Sequence, residues 1–284
     1  MGSAAKSCHS RGAGSGRPGT SAVPSTQRVS KMLRSAIRRV GLPIHGGIND
    51  NLSRFVPPLL ARHAAIDPAA FDVPRPARVT VLFADIVGFT RLCEDLAPAD
   101  TIGLLGEFHR RMARVIAAHG AGIDDYIGDG VMAVWGGMWA TPDDTVRALR
   151  CALAMLDELV RWNRESPARQ AQPLRIGIGL HVGEAVVGNS GDDRRAKLMV
   201  LGDAVNVASR LERATRQLGA SLVVSDDVMR AACRCAPLNI GLDICQRSPM
   251  SLTVRGRRKP VAVWVMHQGL DAQTVVALCR TGAA

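Results

Sequence analysis

From Arg78 to Leu218 the hydrophobic pattern changes period repeatedly, and those changes confine the chain to a layered α/β fold. Val79 to Ala84 is an unbroken apolar run ending at Asp85, the signature of a buried strand. Residues 98–119 open on Pro98 and set Ile102, Leu105, Phe108, Met112 and Val115/Ile116 at helical spacing, until Gly120 and Gly122 stop the helix. Ile123 to Ile127 and Val131 to Trp135 flank Gly128-Asp129-Gly130 as a β-hairpin. Residues 143–162 return to the helical period, with Val146, Leu149, Leu153, Leu156 and Val160 on one stripe. Leu174 to His181 and Glu184 to Gly188 read as a strand pair turned at Val182-Gly183. A strand at Lys197 to Leu201, a helix at Ala204 to Leu218, a strand at Ser221 to Val224 and a short helix at Asp226 to Ala232 follow. Residues 233–248 are irregular by composition, and Ser251 to Arg255 with Pro260 to His267 form a last hairpin. Helices alternating with strands and hairpins give an α/β (α+β) sandwich with a mostly antiparallel sheet.

Charge divides the chain differently. The net charge is +11, but residues 1–45 hold eight basic residues and no acid, so the remainder is close to neutral. Residues 2–26 are rich in Gly, Ser, Ala and Pro, a composition that buries too little to offset the entropy of ordering. The expected organisation is a basic flexible tail over 1–45, a linker over 46–75, one catalytic domain over 76–268 and a C-terminal tail over 269–284. Val29 to Val40 can form a short amphipathic helix, compatible with weak contact to anionic lipid or a protein partner through the tail. The near-neutral balance after residue 45 argues against a nucleic-acid surface. Seven scattered cysteines, an odd number, fit reduced thiols, and Cys233-x-Cys235 lacks a second pair at zinc-finger spacing. With no uncharged apolar run of about 18 residues and no secretory h-region before Lys31, the expectation is a soluble cytoplasmic protein.

Three segments carry residues suited to chemistry. Asp85, at the end of an apolar strand, is placed as a rim ligand or as a helix cap. Gly88 after it permits a tight strand-to-helix turn whose free N–H groups can meet a phosphate. Asp129 sits at a hairpin tip between two glycines that allow close approach by a ligand. Two carboxylates from adjacent strand ends suit hard divalent ions such as Mg²⁺ or Mn²⁺. Asn206 and Arg210, at i and i+4 on a helix that Asp203 can cap, offer an amide for a ribose and a cation for a phosphoryl oxygen. His181 near Glu184 reads as a structural histidine, and Trp135, Trp139 and Trp162 as core or interface residues.

Taken together, Phe-Ala-Asp-Ile-x-Gly-Phe-Thr at 83–90, Ile-Gly-Asp-Gly-x-Met-Ala-Val-Trp-Gly at 127–136, Ile-Gly-Ile-Gly-Leu-His-x-Gly-Glu-x-Val-Val-Gly-Asn at 176–189 and Leu-Gly-Asp-x-Val-Asn-x-Ala-Ser-Arg-Leu-Glu at 201–212 closely resemble the catalytic domain of class III nucleotide cyclases. The resemblance implies that family's ferredoxin-like sandwich and a homodimer with two composite sites. It implies a metal set of Asp85, Ile86 and Asp129 for two Mg²⁺ or Mn²⁺ ions per site, and a transition-state pair of Asn206 and Arg210 from the other subunit. It also implies phosphate contacts from Gly88, Phe89, Thr90 and Arg255, with Arg257 able to substitute if the hairpin register is shifted.

The implied activity is adenylate cyclase, converting ATP to 3′,5′-cyclic AMP and pyrophosphate. The alternatives are a guanylate or dual-specificity cyclase acting also on GTP, and a catalytically weak nucleotide-binding signalling module. The base-reading positions depart from the family pattern. Adenylate-forming members usually carry Lys where this chain has Asp125, an acid like the Glu of guanylate cyclases. The second position is Met199, which offers no strong donor or acceptor.

Overall fold

A computed structural model describes residues 73–189, 198–235, 248–254, 257 and 259–267. The tail over 1–45, residues 46–72 of the linker, residues 269–284 and Arg255 lie outside the described residues. The elements in chain order are β1 (Arg75–Ile86), α1 (Phe89–Glu94), α2 (Pro98–Ala118), β2 (Ile123–Ile127), β3 (Gly130–Gly136), α3 (Asp144–Glu165), α4 (Pro167–Ala171) and β4 (Ile176–Asn189). After these come β5 (Leu198–Leu201), α5 (Asp203–Leu218), β6 (Leu222–Ser225), α6 (Asp226–Cys235), β7 (Met250–Leu252) and β8 (Val261–Met266).

The strands form one sheet in the order β2-β3-β1-β4-β6-β8-β7, with β5 pairing with the far end of β4. Every pairing is antiparallel except β4 with β6, in agreement with the expected mostly antiparallel α/β sandwich. Both faces of the central strands are covered, which is why β1 reads as a continuous apolar run. Leu82, Ala84 and Ile86 face a core made with Phe108, Met112 and Ile116 of α2 and with the apolar stripe of α3. Val79, Val81 and Phe83 point the other way, into a second core with Met132, Val134, Ala204 and Ala208. Among the described residues, α5 is therefore the α-helix that covers the face opposite α2 and α3, and Trp139 packs against the same cluster. The helix continues from Val207 and Leu211 into a third cluster with Val223, Val254, Val261 and Val263.

One expected feature is corrected. Residues 174–188 are not a hairpin turned at Val182-Gly183; β4 runs unbroken from Ile176 to Asn189, with Gly183 opposite Val79 of β1. Gly183 is there for packing, since a Cβ would lie 3.3 Å from the Ala204 methyl of α5. The same holds at Gly179, where a Cβ would collide with the Glu212 backbone N and the Ala208 carbonyl. Glycines in a strand thus mark the track on which a helix lies against the sheet. A second correction concerns Asp203. It is the first residue of α5, Gly202 is the N-cap, and no side chain caps that end.

Candidate active site

The end of β1 and the tip of the β2–β3 hairpin meet because β1 pairs with β3 in a register that sets Asp85 opposite Gly130. Asp129 is the residue before Gly130, so the sheet itself puts the two acids side by side. Each flanking glycine has its own reason. Gly128 adopts a left-handed conformation with φ 64, which a side chain would strain. A Cβ on Gly130 would lie 3.0 Å from the Ala84 carbonyl and 3.3 Å from Asp85 Oδ1. The Asp85 carboxyl is held above its ordinary range, first by burial, then by hydrogen bonding to Asp129 and repulsion from it. Its Oδ1 accepts a hydrogen bond from the Ile86 N–H at 3.1 Å and caps no helix: the residue before α1 is Gly88, with no side-chain cap.

This donor set fits a hard divalent ion. It consists of two adjacent carboxylates, hard oxygen donors, and no group of three His, Cys, Asp or Glu side chains able to hold a metal occurs among the described residues. An ion held there would complete its shell from backbone oxygens, water and ligand phosphates, as Mg²⁺ characteristically does.

Gly88 turns the chain with φ 76, and α1 starts immediately after it at Phe89. The first N–H groups of any helix lack intrahelical acceptors, so Phe89 and Thr90 bring free donors to the rim beside Asp85. The Val87 N–H donates to the Arg175 carbonyl at 2.9 Å. That bond fixes the turn to the start of β4 and brings the exposed Arg175 to the same rim. Arg175 was missed in the sequence, where it looks like any surface cation before a strand.

Two further charged groups were also missed. Arg216 of α5 reaches across to the Asp85 carboxylate and donates a hydrogen bond to Oδ2. Its Nη2 is also 3.5 Å from Glu212, one helical turn back. Burial pushes the Glu212 carboxyl up to about 7, with Arg216 opposing the shift and Asp85 and Asp129 adding to it. The spacing of Glu212 and Arg216 is legible as a helical pair. The strand end that the pair faces is not, because it lies 131 positions away in the chain.

Asn206 is exposed and Arg210 half-buried on a different side of α5. Arg210 lines a groove of about 260 Å³ with Arg213, Gln217, Leu252, Thr253 and Val254. Arg257, at the edge of the last hairpin, is paired with Asp203 at 3.1 Å. Asp125 lies on β2 opposite Met132, and Met199 lies on β5 opposite Gly188. His181 is buried, its Nδ1 hydrogen-bonded to Ser225 Oγ at 2.8 Å, and burial lowers its pKa to about 4. It is a structural residue, as its position in the sequence suggested. Trp135 and Trp162 are core residues.

Residues 71–268 match the family model of the adenylate and guanylate cyclase catalytic domain. Adenylate cyclase 1 of Rhizobium meliloti (strain 1021) is 36% identical over 156 residues, which are 55% of this chain and 23% of that protein. An adenylate cyclase of Anabaena cylindrica is 30% identical over 223 residues, 76% of this chain and 42% of the relative. The chain thus spans less than half the length of these relatives. Among solved structures, the guanylyl cyclase Cya2 superposes with a TM-score of 0.58 at 31% identity, covering 70% of this chain and 96% of its own. The adenylyl cyclase CyaB from P. aeruginosa gives 0.55 at 27%, covering 70% and 98%. No helix among the described residues is long and apolar enough to cross a membrane.

Proposed function

The chain belongs to the adenylate and guanylate cyclase catalytic-domain family, and from that premise we propose that it cyclises a purine nucleoside triphosphate at sites shared between two copies. The substrate proposed first is ATP, the products 3′,5′-cyclic AMP and pyrophosphate, in line with the adenylate cyclases of Rhizobium and Anabaena. The observation that carries this reading is the side-by-side pair Asp85 and Asp129, at the end of β1 and the tip of the β2–β3 hairpin, beside a turn with free backbone donors.

In the proposed reaction the ribose 3′-oxygen forms a bond to the α-phosphorus, the bond from that phosphorus to the pyrophosphate oxygen breaks, and the hydroxyl proton leaves to solvent. Asp85, Asp129 and the backbone at Ile86 would hold two Mg²⁺ or Mn²⁺ ions, which would supply positive charge near the attacking and leaving oxygens. Gly88, Phe89 and Thr90 would donate backbone N–H groups to the β- and γ-phosphates, with Arg255 adding a cation. Arg210 would stabilise charge that grows on the α-phosphoryl oxygens, and Asn206 would orient the ribose. Arg210 lines the groove beside Leu252–Val254, not the Asp85 rim, which supports a site completed by the second copy.

A second reading, GTP as substrate, is favoured by Asp125. A carboxylate accepts the N1–H and 2-amino hydrogens of guanine but meets an acceptor at adenine N1. Incubating the purified chain with ATP or GTP under Mg²⁺ or Mn²⁺ decides between them. Cyclic nucleotide from the wild type and none from Asp85→Ala is the expected result. Failure to make either product from an intact dimer would overturn the enzyme reading in favour of a nucleotide-binding module.

A further inference from the structure

The helix α5 carries two i, i+4 pairs. Asn206 and Arg210 project from one side, and Glu212 and Arg216 are turned about 120° from them, given 100° per residue. The second pair faces the end of β1. Arg216 donates to Asp85 Oδ2, an oxygen of the metal pair, while its Nη2 is 3.5 Å from Glu212 Oε1. That Glu212 oxygen is buried and has no hydrogen-bond partner. A buried carboxylate oxygen without a donor is costly, and so is an unaccompanied charge. Arg216 is the half-exposed member of this trio, at 41% against 22% for Asp85 and 8% for Glu212, so it has the freedom to move. A guanidinium has five donors and keeps its charge at any pH, so it can serve either carboxylate.

A divalent cation on Asp85 would take the oxygen that Arg216 now holds and would repel the guanidinium. Glu212 lies within the same arm's reach, without any movement of α5, and lacks the donor that Arg216 carries. We propose that Arg216 is a tethered counter-ion of the metal site, holding Asp85 until a divalent cation enters and then passing its hydrogen bond to Glu212. Glu212 acts as the receiving post and eases metal entry by giving the displaced guanidinium a buried partner. Both are positioning residues, since neither needs to touch the nucleotide. The exchange rests on the reading of Asp85 and Asp129 as the metal carboxylates.

The test is Mn²⁺ binding to the full chain without nucleotide, followed by the electron paramagnetic resonance of the free ion. Asp85→Ala should abolish tight binding; if binding persists, the metal reading itself falls. Arg216→Ala should tighten Mn²⁺ binding about fivefold, the equivalent of removing one partly exposed ion pair. Glu212→Gln should weaken binding by a similar factor while Arg216 is present and leave it unchanged in the Arg216→Ala background. This non-additivity separates an exchange from a simple field effect, in which the lost carboxylate weakens binding equally in both backgrounds. Equal weakening, or an unchanged affinity in Arg216→Ala while Asp85→Ala loses the ion, would overturn the exchange alone. Thermal unfolding without metal checks that each variant is folded. Should Glu212→Gln not fold, Glu212→Asp, which withdraws the carboxylate by one methylene, is expected to give the same non-additivity.

Discussion

Asp125 shares a sheet face with Met132 and Phe83, the face that α5 covers, and a carboxylate there would discriminate between purines if the base reached it. If it reads the base, replacing it by a donor should shift the preference towards ATP. Asp125→Lys is expected to raise the ATP-to-GTP ratio of kcat/KM about tenfold, the worth of one polar contact of about 1.4 kcal/mol. The ratio is measured for both proteins at equal metal concentration, and an unchanged ratio would move base selection to other residues. Two buried groups give a second residue-scale expectation. The Glu212 carboxyl titrates near 7 when folded, against an ordinary 4.5, so the folded state keeps a proton that the unfolded chain releases. Stability from Glu212 therefore falls as pH rises across that window. His181 runs the other way: its folded pKa is about 4 against an ordinary 6.5, so stability is lost as pH falls through that range. Comparing Glu212→Gln with wild type cancels the His181 contribution. In urea unfolding without divalent metal, the variant's stability relative to wild type should rise steadily from about pH 4.5 to about pH 7 and then level off. A flat difference would mean that Glu212 stays ionised in the fold.

Among the elements, α5 lies close against β4, and the glycines of β4 make that approach possible. A methyl group on Gly179 would collide with the Glu212 backbone N and the Ala208 carbonyl, whereas one on Gly183 would meet the Ala204 methyl at 3.3 Å. Gly179→Ala should therefore cost about 3 kcal/mol or more, and Gly183→Ala much less. Urea midpoints of the two variants give the order, and the reverse order would refute this packing account. The same glycines explain what the sequence showed and what it hid. The helix expected at Ala204 to Leu218 is α5, and its buried side carries Val207, Ala208, Leu211 and Ala214 at helical spacing. The two short strands flanking the Gly128-Asp129-Gly130 turn placed the hairpin, so the Asp85 and Asp129 candidates were both legible. Gly183 was misread as a turn because a glycine that makes room for a helix looks locally like one that bends a strand. Arg216 stayed hidden for a related reason: its spacing to Glu212 is local, but its partner Asp85 is fixed by tertiary pairing.

For the whole molecule, the decisive matter is whether one chain completes a site. Asp85 and Asp129 stand at one end of the central strands, while Arg210 lines the groove against Leu252–Val254, on another side of α5 from the Glu212–Arg216 pair that faces Asp85. If the reaction needs both sets, each copy supplies the carboxylates of one site and the Asn206–Arg210 pair of the other. Asp85→Ala then disables the metal half of its own site, and Arg210→Ala disables the site on the facing copy, so each mutant homodimer should be nearly inactive. Mixing the two redistributes the lesions. In a heterodimer both defects fall in one site, and the other receives Asp85, Asp129, Asn206 and Arg210 intact. With complete exchange at equal amounts, about half the dimers are mixed and each holds one working site of two, so recovered activity should approach about a quarter of wild type. The measurement is cyclic nucleotide formed by the mixture against each mutant alone, with exchange verified by differently tagged chains. Recovery near that level supports the shared site, and verified exchange without recovery would place all four residues in one copy's own site.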